Sequence, residues 1–245
     1  VDFDPGAGTV ELTAQGIYDI FVLKLDSSGD LVWAKAFAGT GGQLGGQQSK
    51  GYSVAVDSSG NVYTTGYFGH ASQHMNRAVD FDPGAATASL SSGSNTGNVF
   101  VSKLDSSGDY VWAKSFGGTS PDRGYSVAVD SSGNVYTTGY FNGTVDFDPG
   151  AGTANLTSNG SNDAFVLKLD SSGNYVWAKS FGSTNADYGY SVAVDSSGNV
   201  YTTGSFVDTV DFDPGAGTTN LTSNGSTDVF VSKLDSSGDL VWAKS

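Results

Sequence analysis

An all-β chain built from repeated four-stranded antiparallel units is the fold class that the sequence predicts, and three observations predict it. A turn of Asp-Ser-Ser-Gly followed by Asn or Asp occurs seven times, beginning at Asp26, Asp57, Asp105, Asp130, Asp170, Asp195 and Asp235. Short runs rich in Val, Tyr, Thr and Phe flank each turn, and these residues suit a pleated strand. The whole pattern then recurs: Val-Asp-Phe-Asp-Pro-Gly stands at Val1, Val79, Val145 and Val210, at spacings of 78, 66 and 65 residues. A recurrence of that length is the mark of an internal repeat.

The turn chemistry is explicit. Asp suits the first position of a type I turn because its carboxylate accepts backbone N–H groups of the turn. Gly three residues later takes a left-handed conformation at little cost. The hairpins that these turns close are of two alternating kinds. One reads Gly-Tyr-Ser-Val-Ala-Val-Asp-Ser-Ser-Gly-Asn-Val-Tyr-Thr-Thr-Gly and starts at Gly51, Gly124 and Gly189. The other reads Phe-Val-(Leu/Ser)-Lys-Leu-Asp-Ser-Ser-Gly-X-X-Val-Trp-Ala-Lys and starts at Phe21, Phe100, Phe165 and Phe230. One hairpin of each kind makes four antiparallel strands per period, which is the pattern of a β-propeller blade. In Phe165-Val166-Leu167-Lys168-Leu169 the alternation puts Phe and both Leu on one face and Val with the Lys stem on the other. Blades pack face to face, so both faces should be apolar or small. Trp33, Trp112, Trp177 and Trp242 occur once per repeat and read as blade-to-blade packing anchors, ahead of exposed aromatic binding platforms. The Val-Asp-Phe-Asp segment is expected to add a short extra strand.

Four hairpins of one kind and three of the other make about three and a half blades. The divisions are a half blade at 1–38, a blade with two loop insertions at 39–116, and blades at 117–181 and 182–245. Residues 145–180 and 210–245 align without gaps with 30 of 36 positions identical, so the copies share one structure. A closed ring needs whole blades. The array is therefore expected to be completed by further repeats or by another chain, and an unfinished blade offers an edge for pairing. Both ends fall inside the repeat, as if cut from a longer array.

Composition bounds the function. The net charge of −14 argues against nucleic acid and against an anionic membrane surface, and it permits cations. No apolar stretch approaches a membrane span. There is one Glu, Glu11, so the acidity is nearly all Asp, the acid that favours turns over helix. The chain has no Cys, which decides nothing about redox compartment.

The two hairpin motifs resemble the bacterial SBBP repeat, the family named for seven-bladed β-propellers. The resemblance is carried by residues 124–140 and 163–182 and extends over nearly the whole chain apart from the insertions. It implies a propeller, usually on a secreted or cell-surface bacterial protein, and it brings no catalytic residues with it. The Val-Asp-Phe-Asp-Pro-Gly linker stands out as a local elaboration.

Candidate chemistry is thin. The pairs Asp2/Asp4, Asp80/Asp82, Asp146/Asp148 and Asp211/Asp213 each put two carboxylates on one side of an extended segment beside a Pro-Gly turn, a possible Ca²⁺ site. The plainer reading is preferred: Val and Phe bury, both Asp face water, and Pro-Gly turns the chain. His70 and His74 sit four apart in an insertion and read as part of a solvent loop, and the Gly-rich insertion 39–50 reads as a flexible loop. Sequons at Asn142, Asn155, Asn159, Asn220 and Asn224 are candidate glycosylation sites in expected loops. A Ser/His/Asp triad has no well-placed base, and the Asp pairs repeat with the scaffold, unlike a catalytic pair. The expectation is a non-enzymatic extracellular structural or adhesive repeat protein, with a filament subunit formed by self-association as one form of it. The alternative is a ligand- or carbohydrate-binding, lectin-like propeller, and the third reading is an enzyme on the same scaffold.

Overall fold

The computed structural model describes residues 1–39, 48–70, 78–93 and 96–245. Among the described residues all regular secondary structure is β-strand. β1 (Ile20–Leu25) and β2 (Leu31–Gly39) form the first unit, a two-stranded hairpin whose far end, at Ala38 and Gly39, also pairs with Val79–Asp80 of the next blade's ribbon. Three four-stranded blades follow. The first contains β3 (Gln48–Val56), β4 (Val62–His70), β7 (Asn98–Leu104) and β8 (Tyr110–Phe116). The second contains β9 (Arg123–Val129), β10 (Val135–Asp146), β11 (Asn155–Leu169) and β12 (Tyr175–Phe181). The third contains β13 (Tyr188–Val194), β14 (Val200–Phe206), β17 (Asp228–Leu234) and β18 (Leu240–Lys244). The sheets are antiparallel throughout the blades and do not close into a ring.

Every Asp-Ser-Ser-Gly turn has the geometry its residues dictate. In the first, the Gly29 N–H donates to the Asp26 carbonyl at 3.1 Å, and Asp26 Oδ1 accepts from the N–H groups of Ser28 and Asp30. The turn glycines Gly29, Gly60, Gly108, Gly133, Gly173, Gly198 and Gly238 all have φ between 78° and 85°, which only Gly adopts freely.

The Val-Asp-Phe-Asp segment adds the expected short strand, and that strand is paired. It forms an antiparallel ribbon inserted between the second and third strands of each blade. In the first and third blades the ribbons are β5 (Ala78–Asp80) with β6 (Ser89–Ser91), and β15 (Thr209–Asp211) with β16 (Asn220–Thr222). In the middle blade β10 and β11 run straight through it. The ribbon folds its Phe back onto the blade. Phe81 meets Phe100 at 5.1 Å, Phe147 meets Phe165 at 5.1 Å and Phe212 meets Phe230 at 4.8 Å between ring centroids. All six of these rings are buried.

The hydrophobic cores lie between blades, not within them. One joins Val99, Val101, Trp112 and Phe116 of the first blade to Phe141, Phe147, Phe165, Leu167 and Leu169 of the second. The next joins Ala164, Val166, Trp177 and Phe181 to Phe206, Phe212, Phe230 and Leu234 of the third. A third core brings Ile20, Val22 and Phe37 of the two-stranded unit onto Phe68, Phe81, Phe100 and Leu104. This follows from period-2 alternation: a strand presents one row of side chains to the blade before it and the other row to the blade after it.

Candidate functional site

The chemistry that the fold sets up most clearly is blade-to-blade recognition, and one lock repeats at each junction. Trp33 Nε1 and Lys24 Nζ donate to the Ser106 carbonyl in the next unit's turn at 3.2 and 2.9 Å. Trp112 and Lys103 do the same to Ser171 at 3.3 and 3.4 Å, and Trp177 and Lys168 to Ser236 at 3.2 and 3.0 Å. The turn glycine is what lets the indole approach. A Cβ on Gly108, Gly173 or Gly238 would press on the ring of Trp33, Trp112 or Trp177 respectively. The Trp residues are thus packing anchors, with Trp112 and Trp177 only 7% and 8% exposed.

The first strands of the blades add a second link. The Val127 N–H donates to Ser53 Oγ, and the Val192 N–H donates to Ser126 Oγ, each at 3.2 Å. Alongside them Tyr52, Tyr125 and Tyr190 form a row with ring centroids 5.4 and 5.8 Å apart. Arg123 stacks over Tyr67 at 3.8 Å from its centroid.

The lock is left open at both ends of the described stack. At the front of the two-stranded unit Phe21, Leu23 and Leu25 are 57%, 37% and 42% exposed, whereas Phe165, Leu167 and Leu169 at the same repeat positions are fully buried. At the rear of the third blade Val229 and Val231 are 70% and 41% exposed, against 0–1% for Val99, Val101, Ala164 and Val166. The two surfaces are the two different halves of the interface found at the internal junctions. Gly29 has no neighbour within 4 Å of a Cβ position, in contrast to the other three Trp-covered turn glycines. Beside β1 runs a groove of about 470 Å³ lined by Tyr18, Phe21, Leu23, Ser49, Tyr52 and Val54 among others.

The residues singled out from the sequence take the following places. In each Asp pair the first carboxylate staples the ribbon. Asp2, Asp80, Asp146 and Asp211 each accept through Oδ1 from two backbone N–H groups, those of residues two and eight positions on. Asp4, Asp82, Asp148 and Asp213 each accept from the glycine N–H two residues on. The two backbone bonds hold Asp2 below the usual carboxylate range. Among the described residues no group of three or more His, Cys, Asp or Glu is placed to hold a metal ion. His70 ends β4, and His74, with most of both insertions, lies outside the described residues.

The sequons were expected in loops, and there the structure differs. Asn142 lies in β10, Asn155 and Asn159 in β11 and Asn220 in β16, because the ribbon extends the strands; only Asn224 is outside one. Asn155, Asn159, Asn220 and Asn224 are exposed and Asn142 is half-buried.

Sequence reasoning missed three buried carboxylates. Asp122 accepts the N–H groups of Gly118 and Asn142, and burial raises it to about 7 against those bonds. Asp187 accepts from Ser183 and Val207 and is also raised by burial. Asp163 is raised to about 7 by burial, with one N–H, that of Asn159, opposing; its Oδ1 makes no hydrogen bond among the described residues. The signal for Asp122 and Asp187 was an Asp two residues before Gly-Tyr-Ser-Val, present in two of the three copies.

Comparison with known proteins agrees with this architecture. The SBBP beta-propeller repeat matches at residues 43–67, 111–145 and 176–205. An uncharacterised WD repeat-containing protein of Acanthamoeba polyphaga mimivirus is 32% identical over 112 residues, covering 40% of this chain and 8% of that protein. The regulatory protein FlaEY of Caulobacter vibrioides is 36% identical over 83 residues, covering 34% of this chain and 9% of that protein. The chain spans less than a tenth of the length of either relative. With four-stranded antiparallel blades in place and three matched segments along them, the chain resembles the SBBP repeat family in sequence and is folded into propeller-like blades.

Proposed function

We propose that this chain is a non-catalytic scaffold of self-stacking propeller blades, exported to the cell surface, with a structural or adhesive role. The observation that carries the reading is the repeated lock. Identical contacts join each unit to the next, and the two open faces are complementary halves of that same junction. A junction whose two sides differ is head-to-tail. It closes into a ring if the rotation per unit allows and otherwise propagates as a filament.

Two further features support it. The side chains with chemical potential repeat with the scaffold, as a structural device does. The exposed sequons are accessible to modification on an exported protein. Antibody labelling of intact source cells, followed by electron microscopy of the labelled material, tests the reading. Surface label on extended filaments or contiguous blade arrays is the expected result. Label confined to permeabilised cells overturns the surface role, and discrete single rings favour the ligand-binding propeller instead.

A further inference from the structure

We propose that the tyrosines of the inner hairpins form an oxidative cross-linking site, at which a dityrosine bond fastens one blade covalently to the next. The oxidant is a peroxide acting through a haem peroxidase. This goes beyond the stacking reading and uses neither open face, because every tyrosine pair involved lies within or between the three blades.

Six rings make the site. Tyr52, Tyr125 and Tyr190 follow the first glycine of the three inner hairpins. Tyr125 is the hub. Its ring centroid lies 5.4 Å from Tyr52 in the first blade, 5.8 Å from Tyr190 in the third and 5.7 Å from Tyr140 in its own. Tyr67 adjoins Tyr52 at 5.9 Å, and Tyr188 adjoins Tyr140 at 5.2 Å. The first junction is thus bridged by Tyr52 with Tyr125, and the second by Tyr125 with Tyr190 and by Tyr140 with Tyr188. The backbone holds these strands together close by, through the Val127 N–H on Ser53 Oγ and the Val192 N–H on Ser126 Oγ. Two groups fixed side by side react as one molecule and not by chance encounter. Tyr125, Tyr140 and Tyr188 are half-buried, so each keeps part of its surface open to solvent. Tyr63, Tyr136 and Tyr201 are arranged otherwise. They face Trp112, Trp177 and Trp242, and their hydroxyls donate to Asp57, Asp130 and Asp195.

The chain has no Cys, so no disulfide can join its blades. Tyrosine coupling supplies the missing covalent link. Burial holds the Tyr125 phenol above its ordinary range, so it is neutral at pH 7 and sheds its proton as it is oxidised. Each of two phenols gives one electron to the peroxidase and one proton to water, which leaves two phenoxyl radicals. Their ortho carbons join in a single C–C bond, and the two ortho hydrogens move to the oxygens to restore the phenols. The two electrons, with two protons, reduce one hydrogen peroxide to two waters. A link from Tyr52 to Tyr125 closes a loop that spans a whole repeat, and closing a long loop removes entropy from the unfolded chain.

The test treats dilute protein, half of it isotopically labelled, with hydrogen peroxide and a haem peroxidase. Dityrosine fluorescence in the monomer is followed, and the linked peptides are located by mass spectrometry. Links within one molecule are expected at Tyr52–Tyr125 and at the second junction, with Tyr63, Tyr136 and Tyr201 left unlinked. The linked monomer is expected to unfold at higher urea than the untreated one. Tyr125→Phe keeps the ring but is expected to lower the first-junction link at least about tenfold, because the held pair is lost. In that variant Tyr140–Tyr188 still couples, which shows that it is folded and oxidised. Absence of dityrosine from the monomer overturns the proposal. So do links only between molecules, links spread evenly over Tyr63, Tyr136 and Tyr201, or a urea midpoint that linking does not move.

Discussion

Trp177→Ala is expected to destabilise the protein by about 3–5 kcal/mol, the range for emptying a large aromatic site in a core. Trp242→Ala is expected to cost less than about half of that. The two tryptophans sit in the same pentapeptide, Val-Trp-Ala-Lys-Ser. What differs is the neighbour. Trp177 lies on Gly238 and donates to the Ser236 carbonyl, within a core shared by two blades. Trp242 is half-buried and keeps only its own blade, including Tyr201 at 6.2 Å between centroids. Urea unfolding of both variants measures the difference. Equal losses would mean that the indole stabilises its own blade and not the junction.

Stability is expected to fall as pH rises from about 4 to about 7, with Asp163 a main cause. Its folded pKa of about 7 lies above the ordinary 3.8, because burial outweighs the single N–H it accepts and the charge of Asp187 adds to the effect. Between those values the folded state holds a proton that the unfolded chain has released, so stability is lost through the window and is level above it. Asp122, also raised to about 7 by burial, contributes in the same direction. Below the window the sign reverses. Asp195 is lowered to about 2, first by the Asn199 amide, and its contribution is present above pH 3.8 and lost as pH falls through 2. The optimum is therefore near pH 4–5. Asp163→Asn is expected to shrink the decline and to raise stability at pH 8 by about 1–3 kcal/mol, the scale of a buried polar group relieved of its charge. The chain itself supplies the precedent, since Asn98 occupies the same repeat position with Gly117 packed on it as Gly182 is on Asp163. Thermal unfolding from pH 4 to 8 measures both profiles, and a variant with an undiminished slope would assign the decline elsewhere.

The local architecture was open to reading from sequence because its signals are local. Asp-Ser-Ser-Gly dictates its own turn, and alternation in Phe165–Leu169 dictates two faces. The Trp residues were legible as anchors because one large aromatic per repeat has to be buried somewhere. The partner of each indole was not legible, because it is a backbone carbonyl in the next repeat, 73 residues away for Trp33 and 59 for Trp112 and Trp177. The short strand of the Val-Asp-Phe-Asp segment was legible, but its partner was not, for a similar reason. Its pairing of Thr144–Asp146 with Asn155–Thr157 follows from Asp146 gathering the N–H groups of Asp148 and Ala154, which composition does not announce. Asp163 reads as one more surface Asp until its neighbours exclude water. The open faces are invisible in the sequence altogether, since Phe21 and Phe165 belong to the same motif and differ only in what covers them.

Sedimentation velocity of two variants, alone and mixed, tests the head-to-tail claim most directly. Val231→Asp is designed to disable the rear face and Leu23→Asp the front face, at positions 41% and 37% exposed. Unmodified protein is predicted to associate with rising concentration, either variant alone to remain monomeric, and an equimolar mixture to stop at a dimer joined through the one intact pair of faces. Monomers at every concentration for the unmodified chain, or a dimer that survives in both single variants, would contradict it.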